Sequence, residues 1–213
     1  MRLRYWIKNG FSTTGVVLLA WFIYSFMMLV QSSDFSWLLV AETAPIYLLV
    51  FGGMMQLAMV LGIYKLNLPL CLSFGSTRRE AQVGLQLFRL IPAVCLSLLL
   101  WVVSLLLGAH SLLSPVVALT AGLGVSLAAG ALGSLMGMVY LRFGKLAVVL
   151  SVILMFLCGG AVGILTVLGM KNFSFRGPSG FGLHWILLAA GVVLYLVSLI
   201  PERRVVRKYQ VKL

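Results

Sequence analysis

Acidic residues are scarce in this chain: four Asp and Glu stand against sixteen Lys and Arg, and charged residues make up only 9% of its 213 positions. Soluble domains carry roughly 25% charge, so a water-facing globular surface is excluded. Cysteine is equally sparse. Cys71, Cys95 and Cys158 form no Cys-x-x-Cys pair and no Cys/His cluster, which leaves a zinc or redox centre without support. The two histidines, His110 and His184, lie on separate segments with no Gly-x-Ser-x-Gly or Glu/His pattern around them. An intramembrane enzyme would need converging nucleophiles, bases or metal ligands, and none is offered. A G-x-x-x-x-G-K-[ST] phosphate loop is also missing, so the chain cannot bind and hydrolyse ATP by that route.

What fills the sequence is apolar: 62% of residues are hydrophobic. A helix needs about 20 apolar residues at about 1.5 Å each to cross about 30 Å of hydrocarbon. On that rule six spans are predicted, near 11–30, 37–64, 90–108, 114–140, 146–170 and 182–200. The runs are continuously apolar rather than alternating, which favours helices over barrel strands. The first run follows Arg2, Arg4 and Lys8 but exceeds the usual h-region of a signal peptide, so a retained helix is expected. Tyr5, Trp6 and Ile7 would form a short interfacial segment before it.

The basic residues alternate with these runs. They gather as Arg2, Arg4 and Lys8; Lys65, Arg78, Arg79 and Arg89; Arg142 and Lys145; and Arg203, Arg204, Arg207, Lys208 and Lys212, leaving only Lys171 and Arg176 elsewhere. Lys and Arg are retained on the cytoplasmic side of membrane spans. The expected fold class is therefore an all-α polytopic membrane protein of six transmembrane helices, 1–213 as a single domain, with both termini cytoplasmic. The net charge of +12 is explained by orientation and anionic headgroups, to which the tail from Glu202 to Lys212 would add attraction. Nucleic acid is not an expected partner, because no recognition module accompanies the charge.

Ala129, Gly133 and Gly137 share one helical face, as do Gly159 and Gly163, a spacing that lets helices approach closely. Tight packing within one subunit is the favoured reading, ahead of a subunit interface. Ion coupling would need ionisable groups inside the spans. Asp34 and Glu42 lie near the external edge, with Glu42 the one acid placed to face a cavity. An ion-coupled secondary transporter or channel is kept as the alternative.

The 65–89 connection carries the most information. Asn67 is a plausible N-cap and Pro69 suits a first turn. Leu68, Cys71 and Leu72 would line one side of a short helix ending at Phe74, with Gly75 as its left-handed cap. Thr77-Arg78-Arg79-Glu80 has the spacing of a capping box. A second helix should start there, carrying Ala81, Val83, Leu85, Leu87 and Phe88 toward the third span past Pro92.

Leu72-Ser73-Phe74-Gly75-Ser76-Thr77-Arg78-Arg79-Glu80, followed by Val83-Gly84-Leu85-Gln86, resembles the segment between the second and third spans of small bacterial ATP-binding-cassette (ABC) permeases of the type-2 exporter class. The resemblance implies that this segment is a cytoplasmic coupling helix seated on a separate ABC ATPase subunit, which would bind ATP and Mg; this chain would hold no cofactor. The implied partner contacts are Leu72, Phe74, Gly75, Ser76, Thr77, Arg78, Arg79 and Glu80. Phe74 would enter the ATPase groove, Arg78 and Arg79 would meet acidic ATPase residues or lipid headgroups, and Glu80 would serve first as a cap. A second permease subunit, identical or related, would complete the pathway in the bacterial plasma membrane. Larger members carry external domains or re-entrant hairpins, for which only 171–181 is available. Cargo taken from the membrane or cytoplasm, a hydrophobic, antibiotic-like peptide or a lipid-like molecule, fits that departure.

Overall fold

The computed structural model describes residues 2–31, 37–73, 77–107, 114–144, 149, 153 and 182–208. Among them the chain is helical throughout and forms no strand. The elements are α1 (Arg2–Gln31), α2 (Trp37–Gly62), a π-helical turn (Ile63–Asn67), α3 (Leu68–Ser73), α4 (Arg78–Leu107), α5 (Pro115–Phe143) and α6 (Leu183–Lys208). Among the described residues four helical stretches are long and apolar enough to cross a membrane: Pro45–Ser73, Arg78–Leu107, Pro115–Phe143 and His184–Val206. The expected fifth span falls outside the described residues apart from Val149 and Ile153. So do Asp34, His110, Cys158, Gly159, Gly163 and the 171–181 connection, and the side chain of Glu42.

Two boundaries differ from expectation for a common reason. The 65–89 segment is not a loop between spans but the helical continuation of both: α2 runs through the π turn into α3, and α4 begins at Arg78. Asn67 accordingly lies inside the π turn and caps nothing. Likewise α1 starts at Arg2 with no separate interfacial segment. At 30 residues, α4 is about 45 Å long, several turns more than hydrocarbon requires.

Proline does not end these helices. Pro92 sits inside α4, where it removes one donor and crowds the carbonyl four residues earlier. Neighbouring helices can satisfy the backbone groups so loosened. Close by, Gln56 Nε2 of α2 donates to the carbonyl oxygen of Arg89, three residues before the proline rather than four, at 3.0 Å. The ends of α5 follow simpler rules: Ser114 Oγ accepts from the Val117 amide at 3.4 Å with Pro115 behind it, and Gly144 closes the helix at φ +61°, a left-handed geometry suited to glycine.

Packing is dominated by close approach along α5. Gly133 lies against the backbone of α2, where an added Cβ would stand 2.8 Å from the Leu57 carbonyl oxygen, and Gly137 lies under the Tyr64 ring. Ala129 is buried beside them. Gly122 meets the backbone of α4 at Ser97, and Gly124 meets α6 at Leu187 and Gly191. The small-residue face therefore serves packing within the chain. The buried hydroxyls of Ser97, Thr120 and Ser134 each donate to a carbonyl of their own helix, whereas that of Ser104 has no partner among the described residues.

One cluster gathers the start of α1, the end of α2 with its π turn, the start of α4, and the ends of α5 and α6. Its members are Trp6, Val60, Ile63, Tyr64, Leu68, Ala81, Leu85, Phe88, Met138 and Val206. A second cluster, Leu48, Leu100 and Ala118, marks the opposite end. The exposed bases Arg4, Lys8, Lys65, Arg78, Arg79, Arg142, Arg203 and Arg204 thus stand at one end of the bundle, borne on elements that meet there. Trp6 is buried in that cluster rather than lying at an interface, its indole pressed on Gly84.

Adding a methyl at Gly84 would drive Cβ into the indole, whereas Gly15 faces open space. Gly84→Ala is expected to lower the unfolding free energy by about 1–3 kcal/mol, seen as a reduced Tm in detergent, with Gly15→Ala leaving the Tm unchanged.

Candidate functional site

The basic end carries two features that can act on something beyond the helix that bears them. The first is the α3–α4 turn. Leu68 is fully buried, and Cys71 and Leu72 pack against the same cluster, so the predicted apolar side faces the bundle. Leu66, Leu70 and Ser73, three and four residues apart, are exposed on the other side. Leu72 is half-buried, on the side packed against the bundle. Phe74, Gly75 and Ser76 lie outside the described residues.

Beyond them the capping box is formed as its spacing predicts. The Thr77 amide donates to Glu80 Oε2 at 3.0 Å, the Glu80 amide donates to Thr77 Oγ1 at 3.2 Å, and the Ala81 amide donates to the Thr77 carbonyl at 3.0 Å. The reciprocal bonds satisfy donors that a helix start leaves open, and the carboxylate meets the positive end of the helix dipole. Thr77, Arg78, Arg79 and Glu80 are all exposed. These bonds tie Thr77 to the first turn of α4.

The second feature lies two turns deeper. Arg89 and Glu202 are 1% and 0% exposed and form an ion pair, Nη1 to Oε2, at 2.8 Å. Arg89 Nη2 donates to Ser198 Oγ at 2.7 Å, and Ser198 Oγ donates to the Tyr195 carbonyl at 2.7 Å. The guanidinium stacks 4.4 Å from the centroid of the Tyr195 ring, whose hydroxyl donates to Gln86 Oε1 at 2.6 Å. With Gln56 bonded to the Arg89 carbonyl, one junction joins α2, α4 and α6. Tyr64 and Gln86 also border the Glu202 carboxylate, but neither closes a well-formed hydrogen bond to its second oxygen.

This junction corrects two expectations. Arg89 does not belong with the solvent-facing bases, and Glu202 does not belong with the headgroup-facing tail. Both residues lie within membrane-length helices, toward the basic end of each. Taken one at a time, each looked like a loop or tail charge. Their signal was phase: Gln82, Gln86 and Arg89 recur at four and three residues, and Tyr195, Ser198 and Glu202 at three and four, as polar stripes on otherwise apolar helices. Two long helices with matching stripes are candidates to pair through them.

Among the described residues no group of His, Cys, Asp and Glu is placed to hold a metal. Cys71 and Cys95 are free thiols. His184 stands in the first turn of α6 beside Trp185, ring centroids 5.5 Å apart, at the far end of that helix from Glu202. No family model, no curated protein and no solved structure matches the chain.

A buried pair is costly to break from one side because the partner is left charged and alone, whereas replacing both by apolar groups is often tolerated. Arg89→Leu or Glu202→Leu alone is expected to cost about 3–5 kcal/mol, and the double variant to recover most of that loss, read by unfolding of the purified protein in detergent. Thr77→Ala should cost about 1 kcal/mol through the lost cap, measured in the same assay.

Proposed function

We propose that this chain is the transmembrane permease subunit of an ATP-driven exporter of the type-2 ABC class. In this reading it crosses the bacterial plasma membrane six times, with both termini and the basic end in the cytoplasm. The observation that carries the reading is the α3–α4 turn: a short helix continuous with the second span, followed by a Thr77–Glu80 capping box that opens the third. A helix–turn–helix fused at both sides to long spans is a mechanical input, whereas a loop on flexible tethers would not transmit force. The exposed Arg78 and Arg79 beside it suit acidic groups on a soluble partner.

Helix direction supports the count of spans. The N-terminal part of α5 packs on that of α6 through Gly124, Leu187 and Gly191, and Met138 near the end of α5 shares a cluster with Val206 near the end of α6. The two helices are therefore parallel, which fits the assignment of a further span, at 146–170, to the sequence between them.

The engine is a separate ABC ATPase subunit, which binds ATP and Mg. Closure of two ATPases draws together the α3–α4 turns of two permease subunits, identical or related, and α4 carries the movement into the membrane. Leu72, Phe74, Gly75, Ser76, Thr77, Arg78, Arg79 and Glu80 make the ATPase contact in this reading, Phe74 entering its groove, and the Thr77–Glu80 capping box holds the start of α4. The cargo is a hydrophobic, antibiotic-like peptide or a lipid-like molecule taken from the membrane or cytoplasm. The ATPase groove, the surrounding lipid and the second permease are the partners.

The buried Arg89–Glu202 pair favours a second reading, an ion-coupled secondary transporter or channel, since ionisable groups inside spans mark ion and proton paths. Its net neutrality and its role in tying α4 to α6 weigh against that use.

Co-expression with an ABC ATPase is expected to yield a copurifying complex that Phe74→Asp or Gly75→Pro abolishes while membrane insertion is retained. Transport that survives those variants, needs no ATP and collapses with the proton or sodium gradient would decide for the second reading.

A further inference from the structure

The α2–α4–α6 junction contains more polar atoms than the protein satisfies. Among the described residues, Glu202 Oε1, Gln56 Oε1, Tyr64 Oη, Gln86 Nε2 and Arg89 Nε are all buried without a hydrogen-bond partner. Four of the residues that bear them are almost wholly enclosed, Tyr64 and Glu202 at 0%, Arg89 at 1% and Gln56 at 2% exposure. These groups are mutual neighbours. Gln56 reaches the Arg89 backbone, Arg89 reaches Glu202, and Tyr64 and Gln86 border the same carboxylate.

We propose that this junction is an internal water site, a small hydrated chamber of about two molecules, each water making about three hydrogen bonds. The chemistry of the unsatisfied atoms selects the occupant. Arg89 Nε and Gln86 Nε2 donate, Glu202 Oε1 and Gln56 Oε1 accept, and the Tyr64 hydroxyl does either. An anion would face the Glu202 carboxylate and a cation would face the Arg89 guanidinium, while the pair itself is already neutral. Water alone supplies donors and acceptors together at no net charge.

Helix α5 closes one wall of the junction: Gly130 lies directly against it, where a Cβ would stand 3.2 Å from Gln56 Nε2 and 3.8 Å from Arg89 Nε. The consequence is a wet seam at the basic end of the bundle. Where α4 and α6 slide against each other, hydrogen bonds pass through exchangeable water instead of being broken outright. The inference stands on burial and bonding alone and does not depend on which transport reading holds.

X-ray radiolytic footprinting of the full-length protein in lipid nanodiscs tests it, because hydroxyl radicals form on bound water and modify the adjoining side chain. Trp6 is the internal control, 1% exposed but set in an apolar cluster. Normalised to the denatured chain, Tyr64 is expected to be modified roughly tenfold faster than Trp6 despite equal burial, the difference marking a buried polar site that holds water. In the Arg89→Leu/Glu202→Leu double variant, which removes the charged walls of the chamber, Tyr64 modification should fall to the Trp6 level. A wild-type Tyr64 as silent as Trp6, or one modified equally in the double variant, would overturn the proposal.

Discussion

A helix bundle in lipid gains little from hiding Leu and Val, because hydrocarbon chains are as apolar as the side chains they would replace. What holds such a bundle is backbone brought close to backbone and polar groups that find each other. Here α5 provides the first. Its glycines let α2, α4 and α6 each reach its backbone, at Gly133, Gly122 and Gly124, so these three helices are arranged around one small-sided helix, while α1 packs on α4 and α2. The Arg89–Glu202 junction provides the second and ties together α4 and α6 with α2 behind them.

These two devices have different consequences. Close packing is short-ranged and tolerates little sliding, so it favours a fixed core around α5. A charge pair with several lone neighbours is permissive. Each unsatisfied buried group costs about 1–3 kcal/mol, and a junction in that condition is poised between bonding arrangements. The junction lies toward the basic end of the bundle, alongside the close contacts of Gly137 with Tyr64 and Gly84 with Trp6. Movement introduced at Thr77 reaches Arg89 within about three turns of one unbroken helix.

Much of this architecture was legible in the residues. Continuous apolar runs and alternating basic stretches gave a multi-pass helical chain, and the structure bears out four membrane-length helices with the bases at one end. The Thr77–Glu80 box was readable because capping is local chemistry, settled within four residues. Tertiary pairing is not local, and there the reading failed. Arg89 lies close in sequence to Arg78 and Arg79 and was grouped with them, although eleven further residues of helix carry it from the surface into the bundle. The ends of the spans were missed for a related reason. Lys65, Asn67 and Pro69 look like a helix end, but the helix accommodates them by widening into a π turn and continuing.

That π turn leaves a mark on everything after it. A π segment amounts to an α-helix with an additional residue accommodated in one turn, and each residue advances a helix by about 100°. The five residues Ile63–Asn67 therefore act as a phase shifter between the membrane part of the second span and the short helix beyond. Relative to an uninterrupted helix, α3 is rotated by more than a quarter turn, which puts Leu68 and Leu72 inward and Leu66 and Leu70 outward. Which leucines this end of the molecule shows to its surroundings is decided by the count of residues upstream, not by the identity of the leucines themselves.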